Sequence, residues 1–127
     1  MFIDSEQNSR KIVGHLGEHA VAQHLLSNNY TIVARNFRKK GGEIDIIAQK
    51  KDLIVFVEVK TRTSNYFALS EIIVPSKQRK IIVTARSYIL ENKLRDYILR
   101  FDLALVHQVG KIFKIEYIEN AFQPNDN

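Results

Sequence analysis

The sequence of 127 residues contains no cysteine, which excludes a disulfide framework and a zinc site built on thiolates. A chain without disulfides suits a reducing compartment, and we expect the cytoplasm. No segment approaches the roughly 18 consecutive apolar residues that a spanning helix requires. The N-terminus also lacks a cationic start followed by an apolar run, so we expect no membrane association.

The chain also lacks an internal repeat, a low-complexity block and a linker rich in proline or glycine. Its length is typical of one domain that buries roughly two-thirds of its unfolded surface. The last residues, QPNDN, are polar and follow the final apolar position. We predict a single domain over residues 1–122 and a disordered tail over residues 123–127.

Positive charge is concentrated in the middle of the chain. Between Arg35 and Arg86, twelve Lys and Arg stand against five Asp and Glu, whereas the rest of the chain has a net charge of −2. This local excess favours a polyanionic partner such as nucleic acid, although a solvated basic face would give the same count. The basic residues that we expect to contact phosphate are Arg38, Lys39, Lys40, Arg62, Lys77 and Lys80.

Hydrophobic periodicity predicts the order helix, three strands, helix, two strands. We expect Ser9 to cap the first helix and Ser76, after Pro75, to cap the second. The apolar residues expected on one side of the first helix are Ile12, Val13, Leu16 and Ala20. Short connections favour an antiparallel meander for the first three strands, and a helical crossover returns the next strand in parallel. The prediction is an α/β protein with a mixed sheet flanked by helices.

Two neighbouring strands carry charged residues at their centres, within GEIDIIAQKKDLIVFVEVKTR. With residues 51 and 52 at the tip of a tight turn, Asp45 lies directly opposite Glu58, and Glu43 lies opposite Lys60. A four-residue loop keeps this register, whereas a three-residue loop sends Asp45 to the other face. Opposed carboxylates repel, so we expect a cation between them.

A carboxylate pair beside a lysine is what metal-assisted hydrolysis of a phosphodiester requires. Mg²⁺ is held by one or two carboxylates plus substrate phosphate, and the ammonium of Lys60 can orient the attacking water. The alternative is a hairpin without chemistry, in which Glu43 pairs with Lys60 and Asp45 faces solvent.

Three further charged residues lie in or beside predicted apolar segments. Glu18 lies on the first helix between Gly14 and Ala22, small residues one turn away on either side, which leaves its carboxylate directed into a gap. Glu18 is therefore a candidate ligand, although helix packing explains the small residues equally well. Arg100 and Asp102 flank a phenylalanine in an apolar strand, and we expect them to form an internal ion pair.

These residues resemble a known nuclease pattern. Asp45 followed by Glu58-Val59-Lys60 resembles the PD-(D/E)XK motif, and the predicted element order matches the restriction-endonuclease-like fold. The wider run of GxxGE, RN, GEIDII, FVEVKTR and RFD, over roughly residues 14–106, is similar to the bacterial YraN-like family. That family is an uncharacterised group regarded as predicted endonucleases related to archaeal Holliday junction resolvases.

The resemblance implies a nuclease-like domain with Mg²⁺ or Mn²⁺ held by Asp45, Glu58, the carbonyl of Val59 and the helix acid Glu18. It places Lys60 beside the attacking water. The implied activity is an endonuclease acting on DNA in preference to RNA, at branched or damaged sites. A homodimer is expected because a duplex has two strands to cut. A nucleic-acid-binding module without catalysis and a protein-interaction subunit are the alternatives.

Overall fold

The computed structural model describes residues 5–63 and 73–124. In chain order the elements are α1 (Ser5–Ser27), β1 (Thr31–Lys39), β2 (Gly42–Lys50), β3 (Leu53–Arg62), α2 (Pro75–Glu91), β4 (Ile98–Val109) and β5 (Ile112–Phe122). The strands form one sheet in the order β1-β2-β3-β4-β5. All neighbours are antiparallel except β3 and β4, which are parallel across the α2 crossover.

The predicted mixed α/β fold with flanking helices is confirmed. Residues 125–127 of the predicted tail lie outside the described residues, and the domain bounds stay a prediction. Phe122, the last residue of β5, is buried in the core.

The register of β2 against β3 follows from a two-residue turn at Lys51 and Asp52. Lys51 has a positive φ of 55°, as tight hairpin turns require. The antiparallel ladder between β2 and β3 begins beside this turn with the pair Lys50 and Leu53 and ends with the pair Ile46 and Val57. This is the register that the sequence predicts, and it is confirmed over those residues.

Each face of the sheet is covered by one helix, so the central strands are buried on both sides. The core beneath α2 includes Ile44, Ile47, Ile54, Phe56, Ile81, Ile82, Ala85 and Phe101. The core beneath α1 includes Val21, Ala22, Leu25, Ile46, Ala48, Val55, Val57 and Val106. A charged side chain in such a strand lies in a poorly hydrated environment, where an unpaired charge is unfavourable.

The apolar side predicted for α1 is wrong in its first half. Ile12 and Leu16 are 58% and 44% exposed, and the residues that pack on the sheet are Val21, Ala22 and Leu25. The first half of the helix instead borders an open cleft at the end of β3. Neither helix in the described part of the chain is long and apolar enough to cross a membrane.

The predicted caps of both helices are also wrong. α1 is already helical before Ser9, and α2 begins at Pro75 rather than after Ser76. Val74 precedes α2 in an extended conformation, and its side chain forms no capping hydrogen bond. Proline at the first helical position explains this start, because its φ is preset and its missing N–H would have no partner there.

A buried polar cluster joins β4 to β5 on the α1 side. Arg100 donates two hydrogen bonds of 2.9 Å to Asp102, which is fully buried. Asp102 also accepts from the Tyr117 hydroxyl at 2.5 Å and from the Asn120 N–H at 2.9 Å. Burial and the neighbouring Asp102 carboxylate raise the pKa of Tyr117 far above its usual range. The predicted internal ion pair between Arg100 and Asp102 is confirmed.

Candidate active site where strands β2 and β3 separate

Strands β2 and β3 stop pairing at the end of the sheet that carries the charged residues. Their ladder ends at Ile46 and Val57, although the same register would continue with Asp45 opposite Glu58. Beyond that point the Val59 N–H donates to Asp45 Oδ2 at 2.8 Å. Strand β3 continues to pair with β4 as far as its last residue. The separation therefore leaves space for side chains between β2 and β3.

An irregularity in β2 and β1 accompanies this separation. Ile44 and Ile46 pack into opposite cores, although residues two apart on a regular strand share one face. On β1, the residues on either side of Asn36 pair with Ile46 and Ile44, which leaves Asn36 facing Asp45. Asn36 has a φ of 52°, a left-handed conformation that asparagine adopts more readily than most residues. The two strands thus change side-chain direction at the same place.

Asp45 and Glu58 meet at this irregularity, where the charge of Asp45 acts on the neighbouring Glu58 carboxyl. Burial, followed by the charge of Asp45, raises the pKa of Glu58 to about 7. Burial also raises the pKa of Asp45, against the opposing effect of its bond from Val59. The predicted juxtaposition of the two acids is confirmed, and about half of the pairs retain a proton at pH 7.

Two lysines approach this pair without neutralising it. Lys77, in the first turn of α2, places Nζ 4.0 Å from Glu58 Oε1. Lys77 and Lys60 both lower the pKa of Glu58, yet burial and Asp45 outweigh them. The two lysines therefore offset only part of the effect of burial and of the Asp45 charge on Glu58.

Glu43 does not pair with Lys60, and that expectation is wrong. Because the β2–β3 ladder ends at Ile46, Glu43 pairs instead with Arg38 on β1. Arg38 Nε lies 3.3 Å from Glu43 Oε1, so the two side chains form an ion pair at the partly exposed edge of the sheet.

Glu18 approaches the same place from α1. Its carboxylate is hydrogen-bonded by the Asn36 side chain and lies within the electrostatic influence of Asp45. Burial, followed by the charge of Asp45, raises the pKa of Glu18. Its Oε2 atom is buried and has no hydrogen-bond partner among the described residues. A buried carboxylate oxygen without a donor is unfavourable unless a cation or a ligand group completes it.

Gly17 determines how closely α1 approaches β3. A Cβ atom at Gly17 would lie 1.9 Å from Thr61 Oγ1, so only a glycine fits beneath the helix here. Gly14, one turn before Glu18, has no neighbouring atom within 4 Å of a Cβ in that position. Gly17, directly before Glu18, is therefore the small residue that allows α1 to pack closely against β3.

The oxygen atoms of this site suit a divalent cation such as Mg²⁺ or Mn²⁺. The buried carboxyls of Asp45 and Glu58 and the oxygen of Glu18 that has no hydrogen-bond partner among the described residues supply such oxygen atoms. Within residues 5–63 and 73–124, however, no three His, Asp or Glu side chains are close enough to form a complete metal-binding group. A cation held by Asp45 and Glu58 would take further ligands from the Val59 carbonyl, water or substrate phosphate, as Mg²⁺ typically does.

The six predicted phosphate contacts come from the β1–β2 turn, the end of β3 and the start of α2. Three of them form ion pairs, Arg38 with Glu43, Lys39 with Glu91, and Lys77 with Glu58. Lys40 and Lys80 are exposed, and Arg62 donates to the Thr61 carbonyl at 2.8 Å. Their contact with nucleic acid stays a prediction.

Sequence reasoning missed Asn36 as a residue of the site. The available signal was an asparagine inside a strand of β-forming residues, where asparagine is depleted. Gly17 was also missed, because its neighbour Thr61 is distant in sequence and no local pattern connects the two residues.

Comparison with known proteins agrees with the resemblance seen in the motifs. A family model described as uncharacterised protein family UPF0102 matches residues 17–106, a range that contains all four acidic and basic candidate catalytic residues. A UPF0102 protein of Desulforapulum autotrophicum is 40% identical over 118 residues, which cover 92% of this chain and 98% of the relative. One from Caldanaerobacter subterraneus is 44% identical, with 90% and 97% covered, and one from Geobacter metallireducens is 41% identical, with 89% and 93% covered. The chain belongs to the UPF0102 family, the YraN-like group that its motifs resemble.

Proposed function

We propose that this protein is a nuclease that hydrolyses phosphodiester bonds with Mg²⁺ or Mn²⁺ as its cofactor. The observation that supports this proposal is the buried pair of Asp45 and Glu58, whose carboxyl groups adjoin each other with Lys60 and Lys77 nearby. A purely structural ion pair would be arranged like Arg100 and Asp102, whose charges and hydrogen bonds are matched. The acidic pair is instead left incomplete, as expected of a site that takes up a cation.

Each residue of the site has a role in this proposal. Asp45, Glu58 and the Val59 carbonyl would hold the cation, and Glu18 would face it from α1 without completing a group of three acidic ligands. When bound, the cation would neutralise part of the negative charge on the scissile phosphate. Lys60 orients the attacking water and stabilises the charge that develops in the transition state.

The basic residues around the site favour nucleic acid as the partner, and we expect DNA in preference to RNA. Side chains that contact phosphate read the shape of the backbone and carry no direct information about base sequence. Branched or damaged DNA is therefore the expected substrate, in the cytoplasm. A homodimer would supply two active sites for the two strands, which sedimentation with and without DNA tests.

The test is cleavage of a panel of labelled linear, single-stranded and branched DNA with Mn²⁺. We expect product from the wild type and a loss of at least about 100-fold in Asp45→Ala and Lys60→Ala, because each removes a group that acts in the transition state. Glu116→Ala, at an exposed position on β5, is the matched control and should keep its activity.

Equal rates in the wild type and Asp45→Ala on every substrate would reject the nuclease. If binding persists in both variants without product under any metal, the protein is a binding module. Absence of binding at low salt would favour a protein-interaction subunit.

A further inference from the structure

Strands β1 and β5 form the two edges of the sheet, and they differ in how strongly they resist pairing with another chain. In the described part of the chain, no strand pairs with the outer side of either edge. β1 has a register shift between Ile32 and Ala34, and all of its charged residues are basic. Irregularity and charge of one sign both prevent an edge strand from pairing with a copy of itself. β5 has neither feature between Ile112 and Ile118, where its ladder with β4 is regular.

The outer side of β5 carries a regular row of backbone donors and acceptors. Ile112 pairs with Val109 across the two-residue turn from β4, at the position where a tight turn forms its hydrogen bond. The direction of hydrogen bonding alternates along an antiparallel strand, so the N–H and C=O groups of Phe113, Ile115 and Tyr117 point away from β4. A further strand can therefore pair with these three residues.

This stretch of β5 is complementary to itself when a second copy runs antiparallel to it. With Ile115 on the two-fold axis, it lies opposite its counterpart in the second copy. Lys114 then lies opposite Glu116, and Ile112 lies opposite Ile118. The same register brings outward-directed backbone groups opposite one another, as antiparallel hydrogen bonds require. Both the charges and the apolar side chains are therefore matched in one register.

The side chains that this register brings together are exposed in the single chain. Ile112 and Ile118 are 62% and 36% exposed, and Lys114 and Glu116 are exposed between them. The alternate side chains of β5 pack against the core beneath α1. A second copy would thus cover the exposed isoleucines while opposite charges meet.

We propose that β5 pairs antiparallel with β5 of a second copy, in the register that places Ile115 on the two-fold axis. The proposal assigns a surface to the expected homodimer. It does not depend on the proposed nuclease, because the candidate active site is built from α1, β2 and β3 of one chain.

Sedimentation equilibrium of the full chain tests the proposal. One pair of strands is a small interface, so the concentration series should extend to high values. We expect the wild type to form a dimer as its concentration rises. Glu116→Lys sets lysine opposite lysine at two places in the dimer, and Lys114→Glu sets glutamate opposite glutamate. Each variant should weaken the dimer at least about tenfold, because two attractive pairs become two repulsive pairs.

Mixing the two variants tests the register itself. In a dimer of one Glu116→Lys chain with one Lys114→Glu chain, every lysine again lies opposite a glutamate. A Glu116→Lys chain labelled at its N-terminus should therefore associate with Lys114→Glu about as strongly as the wild type associates with itself. Asp96→Lys and Lys93→Glu are matched controls, because they make the same charge changes at exposed positions outside β5. Each should change the strength of the dimer by less than about twofold.

A neutral residue at Glu116 removes the attraction without adding repulsion. Glu116→Ala and Glu116→Gln should therefore weaken the dimer by no more than about threefold. The candidate active site lies two strands away, on β2 and β3 of the same chain, so these substitutions leave it intact.

A wild type that sediments only as a monomer would overturn this proposal. A dimer that neither charge reversal weakens would also overturn it, as would two reversals whose mixture fails to associate. Equal weakening by the controls would attribute the effect to net charge and reject the β5 interface. A wild type that dimerises as described yet releases no product with Mn²⁺ would reject only the nuclease, so the two proposals fail separately. Thermal unfolding of each variant checks that the fold is retained.

Discussion

Replacing Glu58 with glutamine should stabilise the protein strongly at pH 8 and by less than about 1 kcal/mol at pH 5. The pKa of Glu58 is raised from 4.5 to about 7 in the folded protein. Between these values the folded state binds more protons than the unfolded state, so the free energy of unfolding falls as the pH rises. Below pH 4.5 the carboxyl is protonated in both states. Above pH 7 it is charged in both states, and the unfavourable burial of that charge is fully present.

The size of the effect follows from the same pKa values. The difference between 4.5 and about 7, at about 1.4 kcal/mol per pKa unit, corresponds to about 3 kcal/mol. Solvent screening is weak because Glu58 is only 9% exposed. The proton is shared with Asp45, so about 3 kcal/mol is an upper value for one substitution. Glutamine resembles the protonated acid in size and can still donate a hydrogen bond to Asp45.

Urea unfolding at pH 5 and pH 8, in buffer with a chelator, measures this change. Glu116→Gln is the control, since the same substitution at an exposed position on β5 should alter the free energy of unfolding by no more than about 0.5 kcal/mol at either pH. A change of equal size at both pH values, or destabilisation at pH 8, would show that Glu58 is not an uncompensated buried acid.

Substitutions at four further positions test the packing around the site and the core, each by urea unfolding. Asn36→Ala should destabilise the protein by about 1 kcal/mol more than Asn36→Gly, because only glycine tolerates a φ of 52° freely; equal losses would contradict this. Gly17→Ala should destabilise the protein by about 1–3 kcal/mol, because the new methyl group clashes with a hydroxyl of β3. Gly14→Ala adds a methyl group in open space and should stabilise the protein by about 0.5–1 kcal/mol. Changes of the same sign at both positions would refute this explanation. Asp102→Ala should destabilise by about 3–5 kcal/mol because Arg100 loses its buried partner, and a loss below about 1 kcal/mol would reject that role.

The pairing of β2 and β3 could be predicted because local features determine it. The two-residue turn at Lys51 and Asp52 limits how β2 can pair with β3. The period of two along each strand leaves few registers that bury the apolar residues, and the predicted register brings Asp45 next to Glu58. The end of the ladder could not be predicted. It depends on Asp45 bonding to the Val59 N–H with its side chain, and on a change of direction at Asn36 in a different strand. These contacts join residues that are far apart in sequence, so the local residue pattern of one strand does not predict them.

The side of α1 that packs on the sheet was mispredicted for a related reason. Ile12, Val13 and Leu16 are the large apolar residues of the first half of the helix, so periodicity predicts that this side packs on the sheet. That half borders a cleft, and the sheet begins to cover the helix only at Gly17 and beyond, where Val21 and Leu25 are buried. The hydrophobicity of a helix residue does not indicate whether the sheet extends far enough to cover it.

Calorimetric titration with Mn²⁺ at pH 7 measures whether Asp45 and Glu58 together bind one divalent cation. Titrations in two buffers of different ionisation enthalpy report the protons released on binding. With a Glu58 pKa of about 7, the wild type should bind Mn²⁺ saturably and release about half a proton, and Glu58→Ala should lose this binding. Absence of binding in the wild type, or binding without proton release that persists in Glu58→Ala, would contradict the account.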